Sequence, residues 1–221
     1  MSDILSASTD AESIMVLDEI EQFAISEKTE EKTKRVSFIK NTLTKIDTLD
    51  KKISNYIHTL ELNIILENII YIFGRLFNPD IMIIFYLSVL FYQMIINKNY
   101  FYIIKPLIHL TAALILTMIL KYSFKRPRPE INSKVKRLHN LRIKEKNFSM
   151  PSGDSMQAAN FAIVALFYFH ISFLGFLIIP FVMFARIFYF CHYFFDTLVG
   201  ALIGGGISLG LVFPLKKLNM C

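Results

Sequence analysis

The chain has 221 residues, 54% of them apolar, a mean hydropathy of +0.46, no tryptophan and a formal net charge of +6. Its long apolar runs would stay exposed in an ordinary soluble domain, so that class is excluded. Two cysteines, Cys191 and Cys221, supply neither a disulfide framework nor a metal-ligand spacing, and the acidic start lacks the charged-then-apolar opening of a secretory signal.

Residues 1–31 hold nine acids and one base, whereas 32–52 hold seven bases and two acids. Residues 1–53 therefore read as a disordered, acidic-then-basic arm. Its bases Lys32, Lys34, Arg35, Lys40 and Lys45 have the alternative of meeting anionic headgroups at a membrane surface. From residue 54 to 215 the pattern predicts membrane helices, with 216–221 a short tail. The segments 81–96, 101–120, 156–172, 173–190 and 194–213 have lengths suited to a hydrocarbon core, which is about 30 Å thick. Segment 56–77 carries Glu61, Asn63, Glu67, Asn68 and Arg75 among its isoleucines. It reads as a spanning helix turned toward the bundle, with an interfacial amphipathic helix as the alternative. The fold class expected is an all-α integral membrane bundle of about six helices. In the last helix, Gly200 with Gly204 and Gly206 with Gly210 form two small-xxx-small pairs. These suit packing inside the bundle, or a homo-oligomer contact as the second reading.

Three polar patterns interrupt this apolar background. Lys121 precedes Arg128-Pro129 by seven residues; Pro151-Ser152-Gly153-Asp154 follows; then come Arg186, His192 and Asp196. Helix 101–120 exits at Lys121, helix 156–172 enters after Asp154, and helix 173–190 exits near Arg186 just before the last helix enters. Parity alone puts all three patterns at one membrane face. Their residue types suit a phosphoryl group, a multiply charged anion whose transfer needs positive charge on its equatorial oxygens. Lys121, Arg128 and Arg186 supply that charge. The amides around Ser152 and Gly153 open a helix, where an anion is favoured, and Gly153 permits close backbone approach. His192 is a candidate nucleophile, and Asp196, four residues on, is the carboxylate that would orient it.

These motifs resemble those of the type 2 phosphatidic acid phosphatase superfamily, which also includes the vanadium haloperoxidases. The first family motif, Lys, six residues, Arg-Pro, is matched from Lys121 to Pro129. The second, Pro-Ser-Gly-His, is matched from Pro151 to Gly153, and the third from Arg186 to Asp196, with Ala185 in a serine position. The resemblance implies a six-helix bundle, a phosphohistidine intermediate, no metal or other cofactor, and a lipid phosphate substrate met at the membrane. The departure is Asp154, where the family has a histidine that protonates the leaving oxygen. Asp154 can serve as that acid if burial raises its pKa. Alternatively the leaving group needs little help, as with an isoprenoid diphosphate, or the enzyme is impaired and only binds lipid phosphates. A phosphatidate-specific phosphatase of glycerolipid synthesis is a further reading, and the endoplasmic reticulum is the default membrane for such a chain.

His58, His109 and His170 read as bundle or interface residues, and His139 as a distant candidate to replace the missing acid. The segment 121–148 carries ten bases and two acids. Lys134, Lys136, Arg137, Arg142, Lys144 and Lys146 there either steer anionic headgroups or form a solvated loop. Nucleic acid is not an expected partner, because no aromatic platform or soluble binding module accompanies the bases. A transporter would show paired repeats broken near mid-span, and none is visible.

Overall fold

The computed structural model describes residues 32–97, 101–131, 134–142, 146–168 and 173–217. The acidic stretch 1–31, His170, Lys144 and the tail from 218 lie outside the described residues. Among the described residues the elements are α1 (32–59), α2 (Ile64–Leu76), α3 (Pro79–Asn97), α4 (Phe101–Phe124), α5 (Gly153–Tyr168), a 3-10 turn (Phe173–Leu177), α6 (Ile178–Phe188) and α7 (Phe194–Lys217). All are helical. The chain divides into two units, Met1–Leu49 and Asp50–Cys221. In the first, residues 32–49 form an exposed helix, half-buried at Asp47; an unordered arm through residue 53 therefore does not hold for 32–53. Asp50 and Ser54, which open the second unit, are fully buried, and everything below concerns that unit.

The expected helix over 56–77 is broken. Helix α1 ends at 59, the chain unwinds through 60–63, and Asn63 restarts it by accepting a hydrogen bond from Leu66 N at 2.9 Å. The polar residues that make 56–77 ambiguous are the cause. Glu67 accepts from Leu138 N at 2.6 Å and Asn68 meets His139 at 2.8 Å, so one face of α2 holds the loop that follows α4. Ile64, Ile65 and Ile72 of the same helix remain exposed. Helix α2 and the first turns of α3 meet at 72°, and by length and composition the pair fits a broken span or a re-entrant loop. Two helices, Ile104–Phe124 and Phe194–Leu215, are each long and apolar enough to cross a membrane by themselves. Their outward residues, among them Ile115, Ile119, Leu202 and Phe213, are exposed apolar side chains of the kind lipid covers.

Helix α5 is the hub, packed against α4, α6 and most extensively α7. It buries Ala158, Ala159, Ala162 and Ala165, small side chains that let neighbouring backbones approach. The facing residues of α7 are Gly200 and Gly204. A Cβ on Gly200 would fall on the Ser152 carbonyl, and one on Gly204 on the Met156 carbonyl. Gly206 and Gly210 have open space around them, so the first pair packs the bundle and the second leaves a clear surface. Gly204→Ala is expected to destabilise the fold by about 1–3 kcal/mol, the usual cost of overpacking. Thermal unfolding in detergent checks this, with Gly206→Ala as the control that should stay near wild type.

Candidate active site

Lys121 lies in the last turn of α4, its Nζ donating to the Phe148 carbonyl at 2.7 Å and to Asn147 Oδ1 at 3.5 Å. Arg128 follows in the loop beyond α4. It donates from Nε to the Asn147 carbonyl at 2.7 Å, from one terminal nitrogen to the Cys191 carbonyl at 2.7 Å, and from the other to Asn147 Oδ1. These fixed partners hold a planar guanidinium in place. The nitrogen bonded to Cys191 also lies 3.3 Å from His192 Nε2. Because arginine has only donors, that contact requires a lone pair on Nε2 and places the ring proton on Nδ1.

The end of α6 aims the histidine. Cys191 N and His192 N both donate to the Arg186 carbonyl, at 3.0 and 3.3 Å, after Phe190 turns the chain back in a left-handed conformation with φ 58°. A non-glycine residue there is strained, and the Phe190 ring is anchored by stacking on His58 at 3.8 Å between centroids. This turn sets His192 immediately before α7, whose first turn carries Asp196. Nδ1 of His192 lies 3.8 Å from Asp196 Oδ2, the (i, i+4) geometry read from the sequence. The same Oδ2 accepts from Tyr193 N at 2.9 Å, and Oδ1 accepts from Arg126 at 2.7 Å.

Burial and the surrounding cations Arg128, Lys121 and Arg186 hold the His192 imidazole well below the usual histidine range. The ring is therefore neutral near pH 7, the state a nucleophile needs. Asp154 lies on the first turn of α5, ahead of its apolar stretch. Arg186 reaches it with Nε 2.9 Å from Oδ2, and also donates to the Gly74 carbonyl at 3.1 Å. Complete burial pushes the Asp154 carboxyl up, to about 7, against the pull of Lys121 and Arg128. Among the described residues Oδ1 has no hydrogen-bond partner, so it is the oxygen on which a proton would sit.

A model of the PAP2 superfamily matches residues 102–218, which include all three motifs. The chain belongs to the PAP2 superfamily. Two solved structures share its fold. A PAP2-type phosphatidylglycerolphosphate phosphatase from Bacillus subtilis aligns with TM-score 0.63 and 21% identity, covering 79% of this chain and 86% of that one. LpxE from Aquifex aeolicus aligns with TM-score 0.59 and 24% identity, covering 74% of this chain and 94% of that one. Comparison with curated protein sequences gives no match. The chain thus has the fold of these two proteins, and two of its helices are each long and apolar enough to cross a membrane.

Within this PAP2 fold a cavity of about 430 Å³ opens at the site. Lys121, Arg128, Asn147, Gly153, Asp154 and His192 line it together with Leu114, Thr117, Met118 and Pro79. Lys121, Arg128, Gly153, Asp154 and His192 are thus brought to one space, with Asp196 behind His192. Two expected phosphate-binding residues are placed differently. Ser152 is fully buried, donates its N–H to the Asp196 carbonyl at 2.9 Å and accepts from Ser155 N at 3.4 Å. It ties the loop to α7 and caps α5, because a buried amide must find a partner. Arg186 sits behind Asp154, which stands between it and the cavity wall.

Among the described residues, no group of three His, Cys, Asp or Glu side chains is placed to hold a metal ion. His139 stacks on Tyr71 at 4.0 Å and meets Asn68, so it does not replace the missing acid. His109 meets Tyr168 Oη at 3.1 Å inside the bundle. Arg137, read as a steering charge, donates to the carbonyls of Leu60 and His58 and lies 3.5 Å over the Phe188 ring. Arg137→Ala should destabilise by about 1–3 kcal/mol, since two buried carbonyls lose a charged donor, and should speed protease cleavage between α4 and α5.

Asp50 and Arg126 add a pairing behind Asp196 that no local spacing signals. Arg126 bridges Asp196 and Asp50 at 2.7 and 2.6 Å. Asp50 and Ser54 follow at helical spacing, but a base-rich flank hides them.

Proposed function

We propose that this chain is a membrane lipid phosphatase that works through a phosphohistidine on His192, without a metal. The observation that carries the reading is the His192 ring itself. Its Nε2 lone pair lies at the cavity wall 3.3 Å from an arginine, and its other nitrogen is backed by a buried aspartate.

Nε2 of His192 attacks phosphorus, with Lys121 and Arg128 stabilising charge on the equatorial oxygens. Asp196 stabilises the positive charge that develops on the ring. The bond to the leaving oxygen breaks as Asp154 Oδ1 delivers a proton to it, releasing the lipid alcohol or phosphate monoester. Asp154, now a carboxylate, takes a proton from water, which attacks phosphorus and breaks the P–N bond. Inorganic phosphate leaves and the neutral histidine returns.

The substrates that suit this site are lipid phosphate monoesters such as phosphatidate and polyisoprenoid diphosphates. The apolar wall of Leu114 and Met118 suits the lipid body, and entry from the bilayer suits a site at a bundle rim. A six-helix bundle completes the reading, with the open glycine face of α7 at Gly206 and Gly210 available for a homo-oligomer. Phosphate release from dioctanoyl phosphatidate and farnesyl diphosphate by detergent-purified protein, chelator present, tests it. Release from either supports a phosphatase, and the ratio of the two rates identifies the preferred leaving group. Inert wild-type protein that still binds these lipids would favour an impaired, lipid-phosphate-binding relative.

A further inference from the structure

Asp196 presents only one side to His192. Its Oδ1 is held by Arg126, and that arginine is itself shared with Asp50, which is fully buried at the far end of the bridge. The guanidinium lies 4.4 Å from the Tyr193 ring, so its plane is fixed as well as its ends. Asp50 has a second engagement: its Oδ1 accepts from Phe195 N at 2.9 Å, while Ser54 Oγ accepts from Phe194 N at 2.9 Å. Helix α1 therefore caps the first turn of α7, the turn that carries Asp196.

Charge arithmetic gives the bridge a meaning. Asp196 paired with Arg126 alone would present a neutral pair to the imidazole. Adding Asp50 leaves the trio with one net negative charge, and that charge is what a ring acquiring positive charge requires. The other charged groups around His192 are Lys121 from α4, Arg128 from the following loop, Arg186 from α6 and Asp154 from α5. Lys121 and Arg128 face the phosphoryl group, and all three cations oppose a positive ring, so the trio must offset them.

We infer that Asp50 and Arg126 are positioning residues for the reaction, setting the charge and aim of Asp196 so that α1 completes the reaction centre. This rests on the phosphohistidine reading, which is decided first by wild-type phosphate release and its loss in His192→Ala. The test is then kcat and KM on dioctanoyl phosphatidate for Asp50→Asn, Arg126→Gln and the double variant. Asparagine keeps the oxygen that accepts from Phe195 N and replaces the oxygen that accepts from Arg126 with an amide donor, removing the charge and that bond together. Asp50→Asn is expected to lower kcat about tenfold, the scale of a coupled buried pair, with KM within about twofold of wild type. The double variant is expected to exceed Asp50→Asn in kcat, because Asp196 alone restores one net negative charge.

A kcat for Asp50→Asn within about twofold of wild type would overturn the proposal. So would a double variant whose loss equals the product of the two single losses, the result a purely architectural bridge gives. Arg126→Lys beside Arg126→Gln supplies a second comparison that leaves the α1 cap untouched. Lysine, which keeps the charge between the carboxylates, should retain more kcat than glutamine, and equal losses would overturn the charge argument.

Discussion

His192→Ala should reduce phosphate release by about 10³-fold or more, the scale expected when a covalent nucleophile is removed. The loss should fall on kcat, because Lys121 and Arg128 remain to bind the phosphoryl group and KM should change little. Asp196→Asn should fall between the variant and wild type. It keeps the Tyr193 N–H bond but removes the charge that supports the ring, and in the analogous serine triads such a change is severe. Neutral His192 near pH 7, held so by burial and three cations, means that no acid limb from this histidine should appear in the ordinary range around pH 6.5.

The second large effect concerns Asp154. As general acid it must carry a proton, and burial raises its carboxyl to about 7. The sign is then fixed: the active, protonated form is present below about 7 and is lost as pH rises through it. A bound phosphoryl dianion offsets Lys121 and Arg128, two of the cations that pull Asp154 down beside its partner Arg186, and so moves this limb upward in kcat relative to kcat/KM. Asp154→Asn should abolish the alkaline limb and lower kcat for phosphatidate by about 10²–10⁴-fold, the range for a positioned acid. Against farnesyl diphosphate the loss should be smaller, because a phosphate monoester leaves with less protonation than an alkoxide. A pH–rate profile identical in wild type and Asp154→Asn would remove Asp154 from the mechanism.

Much of this site is legible in the chain because spacing and parity are local properties. His192 and Asp196 stand four residues apart at the entry to α7, and Lys121, Arg128 and Asp154 line one cavity with His192. The residues that escaped the reading act across long sequence distances. Asp50 reaches Arg126 over 76 residues and Phe195 over 145, and no local pattern signals such a pairing. Ser152 is read from its motif as phosphate-binding; that its amide donates to the Asp196 carbonyl is a further contact no local pattern signals. The break at 60–63 was obscured because Glu67 and Asn68 serve a loop rather than a membrane-facing surface. Their polarity belongs to a contact with Leu138 and His139 that only the folded chain reveals.

The central claim is covalent chemistry at His192, and trapping tests it most directly. Wild-type protein would be mixed with ³²P-labelled phosphatidate, chelator present, and quenched in denaturant within the first turnover. The account predicts label on the protein that is stable to alkali, labile to acid, located on the peptide containing His192, and absent in His192→Ala. Turnover by wild type with no protein-bound label at any quench time, or label that persists in His192→Ala, would contradict it.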